Sequence, residues 1–352
     1  MSALYGLGNV QSICAVPNKA ASGAKEQFWI ASNSASAAHP KPELHRIEVS
    51  AQAKAVHVTC TQMLALPHSV AHVAACPDDA SLLLLVSHKS SFLVHVPDES
   101  ADAQLATRCE IAHGDGVVTR HFAWQPQPQP QASVAQLCAT HVLVRAVDRL
   151  SDTPVYTRLL RDHGITSEAA WNPHKVSELA YTSDKSLVGV DTRQSGDAAA
   201  AWTVAAADSV QALTLDFNPT AANYVACGGV DGTVRVFDLR RTAEPALRLK
   251  NHEHWVSALR YSHFNDNLLL TGGSDNSVKV YSLWSVSAAQ QAAAARAPDA
   301  AEAASRSRDK LLLDITSEHE DAVRTVAWAA NNPKLFVSGS YSGRVVVTLM
   351  QT

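Results

Sequence analysis

Residues 208–238 (DSVQALTLDFNPTAANYVACGGVDGTVRVFD) and residues 252–282 (HEHWVSALRYSHFNDNLLLTGGSDNSVKVYS) are two units of the same design. Phe217 and Tyr261 are 44 positions apart, and so are Asp231 and Asp275. Each unit has three runs rich in Val, Leu and aromatic residues, which predict short β-strands, and an Asp opens the tight turn between the last two runs. One such sheet cannot bury both of its faces, so the repeat predicts small sheets that stack against each other in a closed ring.

The repeat length, the Gly-rich turn and its Asp are typical of the WD repeat, which forms one blade of a β-propeller. Turn anchors that follow the first strand recur at intervals of 49, 47, 46, 44 and 67 positions, at Ala75, Trp124, Trp171, Phe217, Tyr261 and Trp328. The sequence therefore predicts an all-β fold, a seven-bladed WD40-type β-propeller that forms a single domain over residues 1–352.

Two parts of the chain depart from the regular spacing. The last interval is long because of an Ala-rich, low-complexity loop, residues 285–309, which we expect between the third and fourth strands of blade six. Blade seven has sequence for only three strands before Thr352. We therefore expect residues 2–8 to add its fourth strand, so that the N-terminal segment closes the ring.

Composition argues against several classes of function. A net charge of −4 provides no basic field for nucleic acid. The six cysteines are scattered without a C-x-x-C pair, which argues against a zinc site or a disulfide scaffold and favours reduced thiols in the cytoplasm. The longest strongly apolar run, Leu82–Val86, is too short to cross a bilayer, and no signal peptide is visible. We expect a monomeric, cytoplasmic propeller with protein partners, without nucleic acid and without direct membrane insertion.

In a WD-repeat blade, a His before the first strand meets the turn Asp and a strand Ser or Thr, because a buried imidazole needs partners for both nitrogens. Residues that fit this structural network are His252, Thr271 and Asp275 in blade six, His319 and Ser338 in blade seven, Asp231 in blade five and Asp184 in blade four. In blade seven, Ser342 stands where the Asp is expected. The same network is the expected role of the His252-x-His254 pair, since no Cys or carboxylate at ligand spacing accompanies it.

Candidate interaction residues lie at the turns of blades five to seven. Trp255 precedes a first strand and Tyr341 lies beside the turn of blade seven, so both belong to the face formed by the second-to-third and fourth-to-first strand connections. Each aromatic residue is either an element of packing between blades or an anchor for a partner. Ser274 and Val230 occupy the matching positions of blades six and five.

Asp191-Thr192-Arg193 and Asp238-Leu239-Arg240 end the third strands of two consecutive blades. One interpretation is a pair of Asp-x-Arg boxes, similar to those of WD-repeat substrate receptors of cullin-type ubiquitin ligases, in which Arg193 and Arg240 dock on the linker protein. The other is that each Asp caps the turn at the strand end and each Arg is solvated or paired locally. The sequence leaves both interpretations open.

Catalysis has little support in the sequence. The motifs of nucleophile-elbow hydrolases, P-loop enzymes, dinucleotide-binding enzymes and zinc proteases are absent, so we expect no catalytic, cofactor-binding or metal-binding residues. A propeller hydrolase or lyase would need a deep, charged central channel with two convergent carboxylates. The first strands, which face that channel, are expected to carry mainly apolar or small residues.

Several segments together resemble one family more specifically. They are Tyr5-Gly6-Leu7, Trp171-Asn172-Pro173-His174, Leu215-Asp216-Phe217-Asn218-Pro219, His252-Glu253-His254-Trp255-Val256, Leu268-Leu269-Leu270-Thr271-Gly272 and Glu318-His319-Glu320-Asp321. With them the chain resembles the EARP and GARP complex-interacting protein family, a WD-repeat group that works with endosomal and Golgi tethering complexes. The resemblance implies a non-catalytic adaptor that binds a tethering-complex subunit, lies peripherally at endosomes or the trans-Golgi network, and supports endosomal recycling and retrograde traffic. Residues 285–309 depart from the family, which carries an acidic segment in that loop.

Overall fold

The computed structural model describes residues 2–17, 25–33, 42–52, 55–87, 90–96, 105–112, 118–126, 132–150, 153–160, 167–184, 186–194, 200–205, 210–287 and 308–351. These residues form 28 β-strands and two 3-10 helices, Val147–Arg149 and Trp284–Val286. The strands assemble into seven antiparallel sheets of four strands each, which confirms the predicted seven-bladed propeller. The innermost strand of each sheet contacts those of both neighbouring sheets, the seventh and the first included, so the sheets form a closed ring.

Strands are numbered in chain order, and the strands of a blade are called a, b, c and d from the centre of the ring outwards. Blade one contains β2 Asn9–Ala15, β3 Glu26–Asn33, β4 Pro42–Gln52 and β5 Ala55–Ala65. Blade two contains β6 Val70–Ala75, β7 Leu82–Ser87, β8 Ser90–His95 and β9 Ala106–Ala112. Blade three contains β10 Thr119–Trp124, β11 Ser133–Cys138, β12 His141–Ala146 and β13 Tyr156–Leu159. Blade four contains β14 Ala169–Trp171, β15 Glu178–Ser183, β16 Ser186–Asp191 and β17 Trp202–Ala205.

The remaining blades follow the same order along the chain. Blade five contains β18 Ala212–Phe217, β19 Tyr224–Gly229, β20 Val234–Asp238 and β21 Leu247–Leu249. Blade six contains β22 Val256–Tyr261, β23 Leu268–Gly273, β24 Val278–Ser282 and β25 Lys310–Ile315. Blade seven contains β26 Val323–Trp328, β27 Leu335–Ser340, β28 Arg344–Leu349 and, as its outermost strand, β1 Ser2–Gly6.

The outermost strand of blade seven comes from the other end of the chain. β1 pairs antiparallel with β28, from Ser2 opposite Thr348 to Gly6 opposite Arg344. The amide of Leu7 extends this pairing, because it donates to the carbonyl oxygen of Gly343 at 2.9 Å. The predicted closure of the ring by residues 2–8 is confirmed, and Ser2–Gly6 form the paired strand.

The hydrophobic core is divided among the gaps between blades. Apolar side chains of facing blades form seven clusters, one in each gap. Both faces of a blade are therefore covered, and every residue of β7, β19, β23 and β27 is buried. This explains why these b strands read as continuous runs of apolar and small residues rather than as an alternation.

Three of the predicted turn anchors also tie neighbouring blades together through hydrogen bonds. The indole N–H groups of Trp124, Trp171 and Trp328 each donate to a carbonyl oxygen on strand a of the preceding blade, at 3.0, 3.0 and 3.1 Å. Each indole therefore buries its ring between two blades while its polar atom keeps a partner.

The predicted insertion of residues 285–309 falls between β24 and β25. Its two ends meet at the base, where the amide of Ser285 donates to the Asp309 carboxylate at 2.9 Å. Arg308 lies beside this contact, 4.4 Å from the centre of the Trp284 ring. Residues 288–307 of the predicted Ala-rich loop lie outside the described residues. No helix in the described part of the chain has the length and hydrophobicity needed to cross a bilayer.

Candidate functional site

The b–c turn of blade six carries a hydrogen-bond network around His252. The Nδ1 atom of His252 lies 3.1 Å from both carboxylate oxygens of Asp275, and its Nε2 atom lies 2.8 Å from the Thr271 hydroxyl. Burial lowers the pKa of His252, and the nearby Asp275 carboxylate opposes this shift. Through this network, the loop that leads into strand a is held to strand b and to the b–c turn of the same blade.

This network requires glycine at the end of strand b. A Cβ atom at Gly273 would lie 2.5 Å from His252 Nδ1 and 2.3 Å from Asp275 Oδ1. Blade five repeats the requirement, because a Cβ atom at Gly229 would lie 2.6 Å from Asp231 Oδ1. A turn Asp that folds back over its strand therefore needs a glycine two positions before it.

Blade five gives its turn Asp a different partner. Asp231 accepts hydrogen bonds from the guanidinium group of the buried Arg235, with a shortest distance of 2.6 Å. An arginine from strand c thus takes the place that a histidine has in blade six. Asp184 lies half-buried at the b–c turn of blade four.

Blade seven has the histidine of the network without the Asp. His319 Nε2 lies 2.8 Å from the Ser338 hydroxyl, while His319 Nδ1 is buried with no hydrogen-bond partner among the described residues. Burial lowers the pKa of His319 to about 4, and the charge of Arg344 adds to this shift. The hydroxyl groups of Ser342, at the Asp position, and Ser340 lie 2.9 Å apart.

The predicted interaction residues of blades five to seven occupy equivalent places on one face of the ring. In each blade, one backbone amide donates to the carbonyl oxygen of the residue that precedes strand a, at 2.8–3.0 Å; the donors are Val230, Ser274 and Tyr341. Trp255 is one of these acceptors. Trp255 and Tyr341 expose 49% and 50% of their surface, whereas Ser274 and Val230 are half-buried. We call this side of the ring, formed by the b–c turns and d–a connections, the b–c face.

The two Asp-x-Arg boxes lie at the opposite end of the blades, where β16 and β20 end. The side chains of Asp191 and Asp238 accept the amide of the Arg two positions later, at 3.0 and 2.9 Å. Each guanidinium group closes on the same carboxylate, with a shortest contact of 2.6 Å in both boxes. The side chains of Arg193 and Arg240 are 76% and 56% exposed, so these pairs contribute little to stability. Both arginines are paired locally, as in the second of the two interpretations.

The central channel carries a charged cluster that the sequence analysis missed. Strand a lines the channel, and the residues one and three positions before its turn anchor point to the same side, because side chains alternate along an extended chain. These positions hold His72, His121, Glu168, Asp216 and Arg260, one from each of blades two to six. The expectation that the first strands carry mainly apolar or small residues is wrong for this part of the channel.

Glu168 is the centre of the channel cluster. Its carboxylate accepts from the Thr214 hydroxyl at 2.5 Å, from the Leu215 amide at 3.1 Å and from the Arg260 guanidinium group at 2.6 Å. His121 Nε2 lies 3.6 Å from the same carboxylate, which is longer than a hydrogen bond. The contacts join blades four, five and six, so this carboxylate ties their innermost strands together.

Burial dominates the ionisation of the channel cluster. It lowers the pKa of His121 to about 3, and the charge of Arg260 adds to the shift. It raises the pKa of Asp216 to about 6, although Arg260 opposes the change. The Asp216 carboxylate accepts the Tyr261 amide at 2.8 Å. Both channel carboxylates, those of Glu168 and Asp216, are therefore engaged by donors of the protein itself.

The histidines do not assemble a metal site in the described part of the chain. No group of three His, Cys, Asp or Glu side chains there is placed to hold a metal ion. The His252 ring is occupied by Asp275 and Thr271, and the His254 ring packs against Trp255 with ring centres 5.2 Å apart. His252 therefore has the predicted network role, whereas the prediction is wrong for His254, which packs against Trp255 instead.

The closed ring of seven four-stranded sheets and the His-Asp-Thr network at a b–c turn define a WD-repeat β-propeller. Comparison with known families gives a narrower result. Residues 1–281 match the family described as EIPR1 beta-propeller, and residues 311–347 match the family described as WD domain, G-beta repeat. Because the first match covers most of the chain, the protein belongs to the EIPR1 beta-propeller family.

Similar proteins occur in animals and plants. EARP and GARP complex-interacting protein 1 of Rattus norvegicus is 29% identical over 88% of this chain and 81% of its own length. The Homo sapiens protein of the same name is 30% identical over 71% of this chain and 67% of its own length. The WD repeat-containing protein DWA2 of Arabidopsis thaliana is 32% identical over 51% of this chain and 50% of its own length.

Proposed function

We propose that the protein is a non-catalytic adaptor that binds a subunit of the EARP or GARP vesicle-tethering complexes and supports endosomal recycling and retrograde traffic. The observation that carries this proposal is membership of the EIPR1 beta-propeller family, whose relatives are named for interaction with these complexes. The engagement of both channel carboxylates by protein donors favours a scaffold over an enzyme. In this proposal the protein is a monomeric, cytoplasmic propeller that reaches endosomes or the trans-Golgi network through its partner.

The proposed binding surface is the b–c face around Trp255 and Tyr341, with Ser274 and Val230 beside them. Large aromatic side chains provide most of the binding energy at many protein interfaces, because they bury a large area at a small cost in side-chain entropy. Trp255 and Tyr341 combine this chemistry with half-exposed rings on adjacent blades of one face. Backbone hydrogen bonds hold both residues, through the carbonyl oxygen of Trp255 and the amide of Tyr341, which reduces the ordering needed when a partner binds.

Affinity purification of the tagged protein from its own cells tests this proposal. Subunits of the tethering complexes should dominate the captured proteins, and their absence would refute the proposed function. The variant Trp255→Ala/Tyr341→Ala should reduce their recovery at least tenfold, as expected for two anchors of about 1 kcal/mol each. Met63→Ala, which changes a residue that is 62% exposed on the outer strand of blade one, is the matched control. Unchanged recovery with the double variant would reject this face and leave the function standing.

A second candidate function is that of a substrate receptor for a cullin-type ubiquitin ligase. The observation that favours it is the matching geometry of the two Asp-x-Arg boxes, which present two exposed guanidinium groups on consecutive blades. The variant Arg193→Ala/Arg240→Ala should then lose a cullin linker protein while it keeps the partners that depend on Trp255. Absence of a linker protein from the wild-type purification, or its retention by the variant, would reject this role.

A further inference from the structure

The surface around Trp255 and Tyr341 combines exposed aromatic rings with an excess of carboxylates. We define the blade 6–7 surface as residues 250–255, 274–276, 316–324 and 341–344. Its charged residues are the carboxylates Glu253, Asp275, Glu318, Glu320 and Asp321 and the cations Lys250, Arg324 and Arg344. Burial lowers the pKa of the two histidines of the blade networks, so they add no charge at neutral pH. The surface is therefore acidic.

Hydrogen bonds between the two blades make this one continuous surface. The side chain of Asn276, in the b–c turn of blade six, donates to the carbonyl oxygen of Glu320 in blade seven at 3.4 Å. Closer to the centre, the Ser257 hydroxyl donates to the carbonyl oxygen of Val323. These hydrogen bonds thus fix the positions of the two blades that carry the aromatic rings and the carboxylates.

The two arginines of this surface are already engaged, whereas one carboxylate is not. Arg344 donates to the Glu320 carboxylate and, at 2.9 Å, to the Glu318 carbonyl oxygen. Arg324 lies 5.9 Å from the centre of the Tyr341 ring, which is a cation–π arrangement. The exposed carboxylate of Glu253 makes no hydrogen bond or ion pair with any described residue. Glu253 therefore presents an uncompensated negative charge two positions from Trp255.

We propose that the blade 6–7 surface receives an arginine-bearing segment of a partner protein, with its guanidinium group stacked on Trp255 and paired with Glu253. Trp is the most favourable aromatic residue for a cation–π contact, and the Arg324–Tyr341 pair shows the same chemistry within this surface. Arginine fits better than lysine, because its planar guanidinium group can stack and donate two hydrogen bonds to a carboxylate at once. The choice of face rests on the proposed function.

Defined peptides test this inference without the natural partner. Fluorescein-labelled Gly-Leu-Arg-Leu-Gly, and versions with Lys, Gln or Glu in place of Arg, are titrated into the full-length protein at low salt and followed by fluorescence polarisation. Affinity should fall in the order Arg, Lys, Gln, Glu, and binding of the Arg peptide should weaken at high salt because exposed charges are screened. Trp255→Ala and Glu253→Gln should each weaken the Arg peptide about fivefold, the ratio that corresponds to about 1 kcal/mol.

Two further variants serve as controls. Trp255→Phe retains an aromatic ring and should keep most of the affinity, which separates a lost contact from a damaged fold. Met63→Ala should leave binding unchanged. Equal affinity for the Arg and Glu peptides, no saturable binding of the Arg peptide, or full binding by Trp255→Ala would each overturn the inference. Recovery of tethering-complex subunits is measured separately, so it can fail while the peptide result stands, and the reverse also holds.

Discussion

The unpaired nitrogen of His319 in blade seven predicts a stabilising double substitution. In blade six the equivalent nitrogen, His252 Nδ1, has a carboxylate partner and a glycine beside it. Blade seven has Ser342 at the carboxylate position and Ser340 at the glycine position. Ser342→Asp alone should not stabilise the protein, because a Cβ atom at the glycine position lies where the Asp and His side chains meet. Ser340→Gly/Ser342→Asp should rebuild the blade-six network.

The expected magnitude follows from four contributions. A buried polar atom without a partner costs about 1–3 kcal/mol, and a hydrogen bond to a charged group contributes about 1.5–3 kcal/mol. Against this, a glycine within a strand costs about 0.5–1 kcal/mol, and the hydroxyl contacts of Ser340 with Ser342 and with the Arg344 carbonyl oxygen are lost. The free energy of unfolding of the double variant should therefore rise by about 1 kcal/mol, while each single variant should be no more stable than the wild type.

Urea unfolding of the four proteins at pH 7.5 measures this double-mutant cycle, and NMR titration of the imidazole gives an independent readout. The pKa of His319, about 4 in the folded wild type, lies below that of an unfolded histidine. The contribution of neutral His319 to the free energy of unfolding is therefore fully present above about pH 6.5 and is lost as the pH falls towards 4. The double variant should raise this pKa and reduce that loss. Equal stabilisation by Ser342→Asp alone would refute the role assigned to Ser340, and additive effects would refute the network itself.

Three further predictions concern the channel cluster and the closing strand. Glu168→Ala should lower the free energy of unfolding by about 2 kcal/mol, because it removes the carboxylate to which Arg260 donates a hydrogen bond and leaves only the nearby Asp216 to balance the charge of Arg260. Adding Arg260→Met should restore part of the loss, and urea midpoints in which the two changes simply add would contradict this. Deletion of Ser2–Gly6 should expose the edge of blade seven and produce oligomers on size-exclusion chromatography, and an unchanged monomer with the wild-type midpoint would speak against ring closure as a source of stability. Burial lowers the pKa of His121 to about 3, so the contribution of this residue to the free energy of unfolding is lost as the pH falls below about 6.5. The fall in the free energy of unfolding between pH 8 and pH 5 should therefore be about 2 kcal/mol smaller in His121→Gln than in the wild type. Asp216, whose pKa is raised to about 6, acts in the opposite direction in both proteins, so identical pH profiles would exclude the assigned burial of His121.

The fold could be predicted from sequence because its signals are local and repeated. The spacing of 44 positions between Phe217 and Tyr261 appears within two neighbouring blades, and turn chemistry marks where each strand ends. The network of His252 with Asp275 and Thr271 could be predicted for the same reason, since all three residues belong to one blade.

The channel cluster could not be predicted in the same way. Glu168 and Arg260 are 92 positions apart and belong to blades that are not adjacent, so only the closed ring brings them together. Arg260 lies between Leu259 and Tyr261, and Glu168 directly precedes the short strand β14, so neither residue belongs to a periodic pattern. Comparing the residues one and three positions before the turn anchors would have revealed the cluster, because a large polar residue stands at one of these positions in each of the five blades two to six.

The pairing of β1 with β28 has a consequence for folding during synthesis. Ser2 pairs with Thr348, which is 346 positions later in the chain, so β1 is made long before its partner strand. At about 5–20 residues per second, roughly 20–70 s of translation separate the two strands. Until β28 has been made, the backbone groups of Ser2–Gly6 lack the strand with which they pair in the folded ring.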